Sequence, residues 1–237
     1  MKNISSQIMV ITGANRGLGL ALVREALTTG YQVVATARDP SSATELVALR
    51  EQNPNRLSLQ SLDVSSDDSV AKFAGQVSEI DVLINNAAIF PEGGEETVDH
   101  WQMKHFTEAF ETNVVGVARV TQALLAVLKK SPSPRVINIS STAGSISGKR
   151  SHSFYAYSTS KAALNMLTRT MAFDLSRSGI TVVAVHPGWV QTEMGGTDAT
   201  LTPKDSASPL VKMIGDLTLE KTGSFLERDG SPCHYAW

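Results

Sequence analysis

The feature that most constrains this chain lies in residues 8–30. The apolar run Ile8-Met9-Val10-Ile11 leads straight into Thr12-Gly13-Ala14-Asn15-Arg16-Gly17-Leu18-Gly19. Leu18, Ala21, Leu22, Ala26 and Leu27 then recur at helical spacing as far as Gly30. An unbroken apolar strand is one that a sheet buries on both faces, as parallel sheets do. The turn after it needs left-handed backbone and close approaches that a Cβ would obstruct, so its glycines serve a conformation. A helix opening on that turn presents free N–H groups and a partial positive charge to whatever lies beyond. Glycines alone suit a tight structural turn equally well. With a strand before them and an amphipathic helix after them, they favour a nucleotide phosphate.

The same unit repeats along the chain. Residues 32–37 hold Val33-Val34, Ser42 and Glu45 form a capping box before Leu46, Val47 and Leu49, and residues 56–62 alternate apolar with polar. Residues 67–77 carry Val70, Phe73, Ala74 and Val77 on one helical face, and a buried strand over 80–84 ends at Asn85. Beyond it the pattern predicts a long helix over 108–129, a strand over 135–139, a helix over 157–176 stopped by Gly179, and a strand over 180–185. Strands alternating with helices of this length make right-handed crossovers and a parallel sheet. The expectation is a single doubly wound α/β domain over residues 1–237, with a parallel sheet of about seven strands and helices on both faces. Gly195-Gly196, Pro203 and Pro209 punctuate the last part and suggest a substrate lid around 192–220. Leu201, Leu210, Val211 and Met213 there suggest an apolar substrate body covered on binding.

Composition removes several classes of function. Lys and Arg number 21 against 23 Asp and Glu, a net charge of -2, with no clustered positive charge for nucleic acid or an anionic membrane. No apolar run approaches the roughly 20 residues that a bilayer span requires. The start of the chain lacks a signal-peptide core, so a soluble cytoplasmic protein is expected. Cys233 is the only cysteine; it permits no internal disulfide, and neither a thiolate zinc site nor any other metal is expected.

Chemistry must therefore come from elsewhere. Tyr157 and Lys161 are one helical turn apart and share a face. An ammonium beside a phenol favours the phenolate and lowers its pKa, which frees the proton for acid-base work. Tyr155 is a weaker rival because Thr159, not a lysine, follows it by one turn. At the end of the second strand stand Thr36-Ala37-Arg38; an acid there would select NAD, whereas cations select NADP. Arg16 in the glycine turn is a second cation; the alternative is that both arginines are solvated surface charges, which Asp39 beside Arg38 keeps open because it could pair with it.

Asn85-Asn86-Ala87, Asn113, Ser141, Tyr157-Ser158-Thr159-Ser160-Lys161 and Pro187-Gly188 follow the glycine turn in order, mostly at the carboxyl ends of predicted strands. With the glycine turn, this set resembles the short-chain dehydrogenase/reductase family over essentially the whole chain. The resemblance implies a Rossmann-type fold and an NADP(H)-dependent oxidoreductase. By that resemblance the catalytic residues are Asn113, Ser141, Tyr157 and Lys161, with Ser140 turned away from the site. The cofactor would meet Gly13, Asn15, Arg16, Gly17, Leu18, Gly19, Arg38, Asp63, Val64, Asn86, Ala87, Tyr157, Lys161, Pro187, Gly188, Val190 and Thr192. Asp63 could equally cap the helix starting near Ser66.

Residues 186–196 and the ending Asp229-Gly230-Ser231-Pro232 with Ala236-Trp237 narrow the likeness to the sniffer and C-factor branch of carbonyl reductases. That implies a small-molecule ketone, aldehyde or quinone as substrate, and a homodimer. The alternative it permits is a dinucleotide-binding signalling protein with little turnover. His186 reads as structural, and Trp237 as a pocket border or a core filler. Ala88 stands where the family has glycine, and residues 142–156 form a longer loop than is usual.

Overall fold

The computed structural model describes residues 4–93, 97–235 and 237. The start of the chain ahead of residue 4, and Ala236, lie outside these. β1 (Ile8–Ile11), β2 (Gln32–Ala37), β3 (Leu57–Ser61), β4 (Val82–Asn85), β5 (Arg135–Ile139), β6 (Thr181–His186) and β7 (Phe225–Glu227) form one sheet in the order β3-β2-β1-β4-β5-β6-β7. Every pairing is parallel. The order reverses at β1, which pairs with β2 on one side and β4 on the other, and a crevice opens there at the carboxyl ends. This is the doubly wound, Rossmann-type domain that the alternation of elements predicts. β7 is short and has no counterpart in the sequence pattern.

Alternate residues of each central strand feed opposite layers, because side chains of a strand point to opposite faces. Met9, Ile11, Val82, Ile84, Ile137 and Val183 face one core, covered by α1 (Gly17–Thr29) and α7 (Pro203–Asp216). Val10, Leu83, Val136 and Val182 face the other, covered by α3 (Asp67–Ala74), α5 (Gly116–Leu128) and α6 (Tyr155–Leu175). α2 (Thr44–Gln52) flanks the first layer through Leu46 and Leu49. Among the described residues no helix is long and apolar enough to cross a membrane.

Several local expectations change in the structure. Ser42 caps nothing: Asp39 accepts from Ser41 N and Oγ and from Ser42 N, and α2 starts at Thr44 after an uncapped Ala43. At α3 the cap is Ser66, which accepts from Ser69 N at 3.3 Å, while Asp63 folds onto Ser65. The long helix starts earlier than the pattern suggests, as α4 (Met103–Phe110), and runs through a π turn, Glu111–Val115, into α5. α7 is no lid. Leu210, Val211, Met213 and Ile214 lie in the core with α1, so the expectation that the apolar residues of 203–216 cover a substrate is corrected.

Polar side chains cross the core between α5 and α6. Asn85 Nδ2 donates to Thr121 Oγ1 and to Asn138 Oδ1, at 3.1 and 2.9 Å, and Asn138 Nδ2 donates to Thr168 Oγ1 at 2.9 Å. Asn85 and Asn138 are partners in the β4–β5 register, so this ladder fixes the strands at their carboxyl ends. Asn138→Leu removes the middle rung and leaves the Asn85 amide and the Thr168 hydroxyl without it. The expected cost is about 2–4 kcal/mol, read as a lower urea midpoint at unchanged slope. A midpoint equal to that of the native chain would show that the ladder carries no stability.

Candidate active site

Three turns at the carboxyl edge of the sheet build the phosphate end. In the glycine turn, Gly13 and Gly17 take φ of 63° and 54°. A Cβ on Gly13 would sit 2.8 Å from Ala87 Cα, and one on Gly19 would sit 2.2 Å from Gly13 O, so both approaches require glycine. The Thr12 hydroxyl accepts from the backbone N–H of Asn86 and of Ala87, both at 3.0 Å. Asn86 Nδ2 returns bonds to Thr12 O and Gly13 O. The Asn86 amide protons are thus spent on shaping the turn. Arg16 begins α1 with no side-chain cap, which leaves the helix end open to an anion, and Asn15 and Arg16 are exposed beside it. Ala88 has no positive φ, so its methyl in place of the usual glycine is unstrained.

Residues 190–197 lie across this turn. A Cβ on Gly17 would meet Thr192 Cγ2 at 3.1 Å, and the Arg16 guanidinium is paired with Glu193. A cleft of about 590 Å³ is lined by Gln191, Thr192, Glu193, Gly196 and Thr197. Gly188, at φ 85°, packs against Leu201, and Pro187 O accepts from Ser206 at 2.6 Å. Val190 bridges to Leu201, and the Trp189 indole donates to Gly195 O at 2.8 Å.

At the ends of β2 and β3, Arg38 is exposed and Asp39 does not engage it, being held by Ser41 and Ser42. The ion-pair alternative for Arg38 and Asp39 therefore drops out. Hydrogen bonds from Ser65 hold the Asp63 carboxyl below the usual range, and the nearby charge of Arg38 adds to this. Val64 is buried, with its carbonyl taken by Arg119 at 2.8 Å.

The chemical end lies on α6 and the turn after β5. Lys161 is 2 % exposed, its Nζ 5.6 Å from the centre of the Tyr157 ring and 2.8 Å from Ile139 O. The Ser141 hydroxyl lies close enough to the Tyr157 phenol to pull its pKa down, and it accepts from Ala143 N at 3.1 Å. Ser140 turns the other way and donates to Asn165 Oδ1 at 2.5 Å in the core. Asn113 is fully buried in the π turn. It accepts from Ile89 N at 2.9 Å and donates to Ile89 O and Ser160 Oγ, both at 3.0 Å.

Burial pushes the Tyr157 phenol up to about 12, against a downward pull from Ser141, while burial brings Lys161 down to about 8. This corrects the expectation of a phenol lowered by its lysine. Desolvation wins because Lys161 is buried, Tyr157 is half-buried, and the ammonium is spent on the Ile139 carbonyl.

A family model described as short chain dehydrogenase matches residues 7–200. The chain belongs to the short-chain dehydrogenase family. The structure is similar to NADPH-bound carbonyl reductase from chicken fatty liver, with a TM-score of 0.90 and 36% identity over 98% of this chain and 99% of that one. It is equally similar to carbonyl reductase Sniffer of D. melanogaster, with a TM-score of 0.90 and 32% identity over the same shares. The C-signal protein of Myxococcus xanthus is 40% identical over 152 residues, 64% of this chain and 90% of the relative.

The short-chain dehydrogenase motifs do not reveal one residue at this site. Glu92 Oε1 accepts from Tyr157 N at 2.8 Å and caps α6, which no helix-start pattern signals because the partners are 65 positions apart. Its other oxygen, Oε2, is buried without a partner, and its charge pushes the Tyr157 phenol further up. The cap residue itself, Phe154, holds φ at 61°, a left-handed conformation rare outside glycine. Phe90 packs edge-on against Phe154 and Tyr157, with centroids 5.1 and 5.4 Å away. His186 accepts from Thr142 N at 3.4 Å, and burial lowers its pKa. Trp237, half-buried, stacks on Phe225 with 5.3 Å between ring centres.

Proposed function

We propose that this chain is an NADP(H)-dependent carbonyl reductase acting on ketones, aldehydes or quinones. The observation that carries the proposal is the Tyr157 phenol near Ser141, with the buried Lys161 Nζ 5.6 Å from its ring centre, at the carboxyl edge that also holds the glycine turn. A phenol near 12 keeps its proton at neutral pH, which suits a general acid and so the reductive direction. Oxidation of an alcohol would need the phenolate, which this burial disfavours. The similarity to the chicken and fly carbonyl reductases supports the same direction.

Bound NADPH would supply the hydride. Ser141 and Tyr157 direct hydroxyls at the carbonyl oxygen, where negative charge develops, and Tyr157 gives it a proton. Lys161 holds positive charge beside the phenol and, with Tyr157, faces the nicotinamide ribose. Asn113 holds the loop after β4 against α6, and so sets where Tyr157 stands. Gly13, Asn15, Gly17, Leu18 and Gly19 hold the pyrophosphate on the uncapped end of α1. Arg38, with Arg16 once released from Glu193, takes the 2′-phosphate. Asp63 and Val64 flank the adenine, and Asn86 and Ala87 carry the turn beside its ribose. Pro187, Gly188, Val190 and Thr192 face the carboxamide side.

A covering segment, if residues 192–202 serve as one, is short and bears Met194. Ile146, Trp189 and Met194, 80, 53 and 41 % exposed on the turns after β5 and β6, favour an apolar substrate. A homodimer is supported by Met166 and Phe173, exposed on α6; Leu164 is buried within the chain and Met171 packs on its core.

Purified protein with NADPH and a panel of quinones and aromatic aldehydes tests the reading. Tyr157→Phe should lose turnover by at least about a hundredfold while keeping NADPH affinity. Native protein that binds NADPH but reduces no carbonyl would overturn the reductase and leave the non-catalytic, C-signal-like role. For cofactor choice, Arg38→Ala should weaken NADPH by about tenfold and leave NADH nearly unchanged. Equal losses for both would reject the 2′-phosphate contact.

The pH dependence has a defined sign. Lys161 loses its charge as pH rises through about 8, well before Tyr157 loses its proton. In the reductive direction kcat/KM for NADPH should be level below about 8 and fall above it. A profile level up to about 10, the ordinary range of a free tyrosine or lysine, would contradict the role of the Lys161 charge.

A further inference from the structure

Away from the phenol and the glycine turn, β7 continues into a hairpin that gathers donor atoms of different chemical kinds. Glu227 N donates to Ser231 O and Gly230 N to Glu227 O, while Leu226 pairs antiparallel with Pro232 and Cys233 N donates to Phe225 O. Asp229 accepts from Ser231 N and Oγ and tightens the turn. The returning strand brings Cys233 and His234 back beside Glu227. One ligand atom from each of Glu227, Cys233 and His234 lies within 4.8 Å of the other two.

We propose that Glu227, Cys233 and His234 bind a divalent cation of the zinc class, with a fourth position open to water. A thiolate, an imidazole and a carboxylate are the donors that zinc takes, whereas calcium and magnesium demand oxygen shells. A tetrahedral zinc ion holds its ligand atoms about 3.5 Å apart, within the 4.8 Å that bounds these three. Glu227 Oε1 and His234 Nδ1 now share a hydrogen bond at 2.6 Å, and the Cys233 thiol lies near the same carboxylate. The cation replaces this proton bridge: the thiol proton leaves to solvent, and the imidazole proton moves to the other ring nitrogen. The expectation that a single cysteine excludes a thiolate zinc site holds only for sites built from several thiolates.

His186 is the neighbour that gives this site a bearing on the rest of the molecule. It pairs with Glu227 in the β6–β7 register, and the charges of Glu227 and His234 act on it. Its Nδ1 accepts from Thr142 N, next to Ser141. The tail beyond the hairpin also reaches the loop over the site: a Cβ on Gly148 would meet Tyr235 Cδ1 at 2.6 Å. The Tyr235 ring lies 4.2 Å from that of His234. Metal at the hairpin pins this tail against residues 145–148.

The experiment is a Co2+ titration of the chelator-treated full chain, read by absorbance, with Zn2+ as competitor. Expected are one equivalent of Co2+, a near-ultraviolet thiolate-to-metal band with visible bands of tetrahedral cobalt, and their loss on adding Zn2+. Cys233→Ser should abolish the thiolate band, and His234→Ala should weaken Co2+ at least tenfold. Thermal unfolding in chelator serves as the fold control, since both variants should match the native chain there. Zn2+ should raise the unfolding temperature of the native chain and not of Cys233→Ser. Absence of a thiolate band, a band that survives in Cys233→Ser, or binding through exposed histidine alone would each overturn the proposal. None of these readings depends on carbonyl reduction.

Discussion

The arrangement at the carboxyl edge depends on one buried carboxamide. Asn113 bonds both the N–H and the C=O of Ile89 on the loop after β4, and it bonds Ser160 on α6. An ordinary helical turn there would rotate the side chain toward a different neighbour, and the π turn, with its extra residue, sets the direction that reaches both. The same loop carries Glu92, which caps α6 at Tyr157, while Ser160 Oγ donates to Tyr157 O at 2.7 Å. Tyr157 is therefore held from its amide and its carbonyl by contacts that trace to a single loop. Buried amides with satisfied partners are rigid because any alternative leaves polar groups unpaired in a medium that penalises them.

What the sequence makes legible follows from how local each cause is. Gly13 and Gly19 can be read because the requirement for no Cβ belongs to the position itself, and the structure meets it with backbone 2.8 and 2.2 Å away. The central strands can be read because burial on both faces leaves an unbroken apolar run. Ser42 misleads because Asp39 competes for the same stretch of backbone with a better acceptor. α7 misleads for a different reason: Pro203 and Pro209 look like punctuation, yet Pro203 sits in the first turn, where its missing N–H costs nothing, behind a Thr202–Asp205 capping box. Glu92 is invisible because its function arises only when a loop and a helix far apart in the chain meet.

Electrostatics divides the site into two regimes. At the glycine turn the groups are exposed, and Arg16 with Glu193 forms a solvated clasp of side chains 67 and 73 % exposed. Exposed pairs of this kind contribute little, so an incoming anion displaces Glu193 at small cost. At Tyr157 and Lys161 the lysine is buried and the tyrosine half-buried, and desolvation outweighs any pairing of phenol with ammonium. One-turn spacing alone implies mutual stabilisation of opposite charges, but burial reverses the sign for the tyrosine.

That reversal bears on how the molecule divides its labour. A phenol near 12 retains its proton, and a lysine near 8 stays largely charged at neutral pH, which is the protonation state that the proposed proton delivery to oxygen would need. Reaching that state requires no large motion of the α/β frame, since the helices bearing Asn113 and Tyr157 are packed and α7 is bound into the core. The parts left to respond to a bound molecule are the turns beyond β5 and β6. They carry the exposed apolar side chains Ile146, Trp189 and Met194. For the proposed reductase, selectivity among carbonyls would reside in these turns, with the chemistry in the frame beneath them.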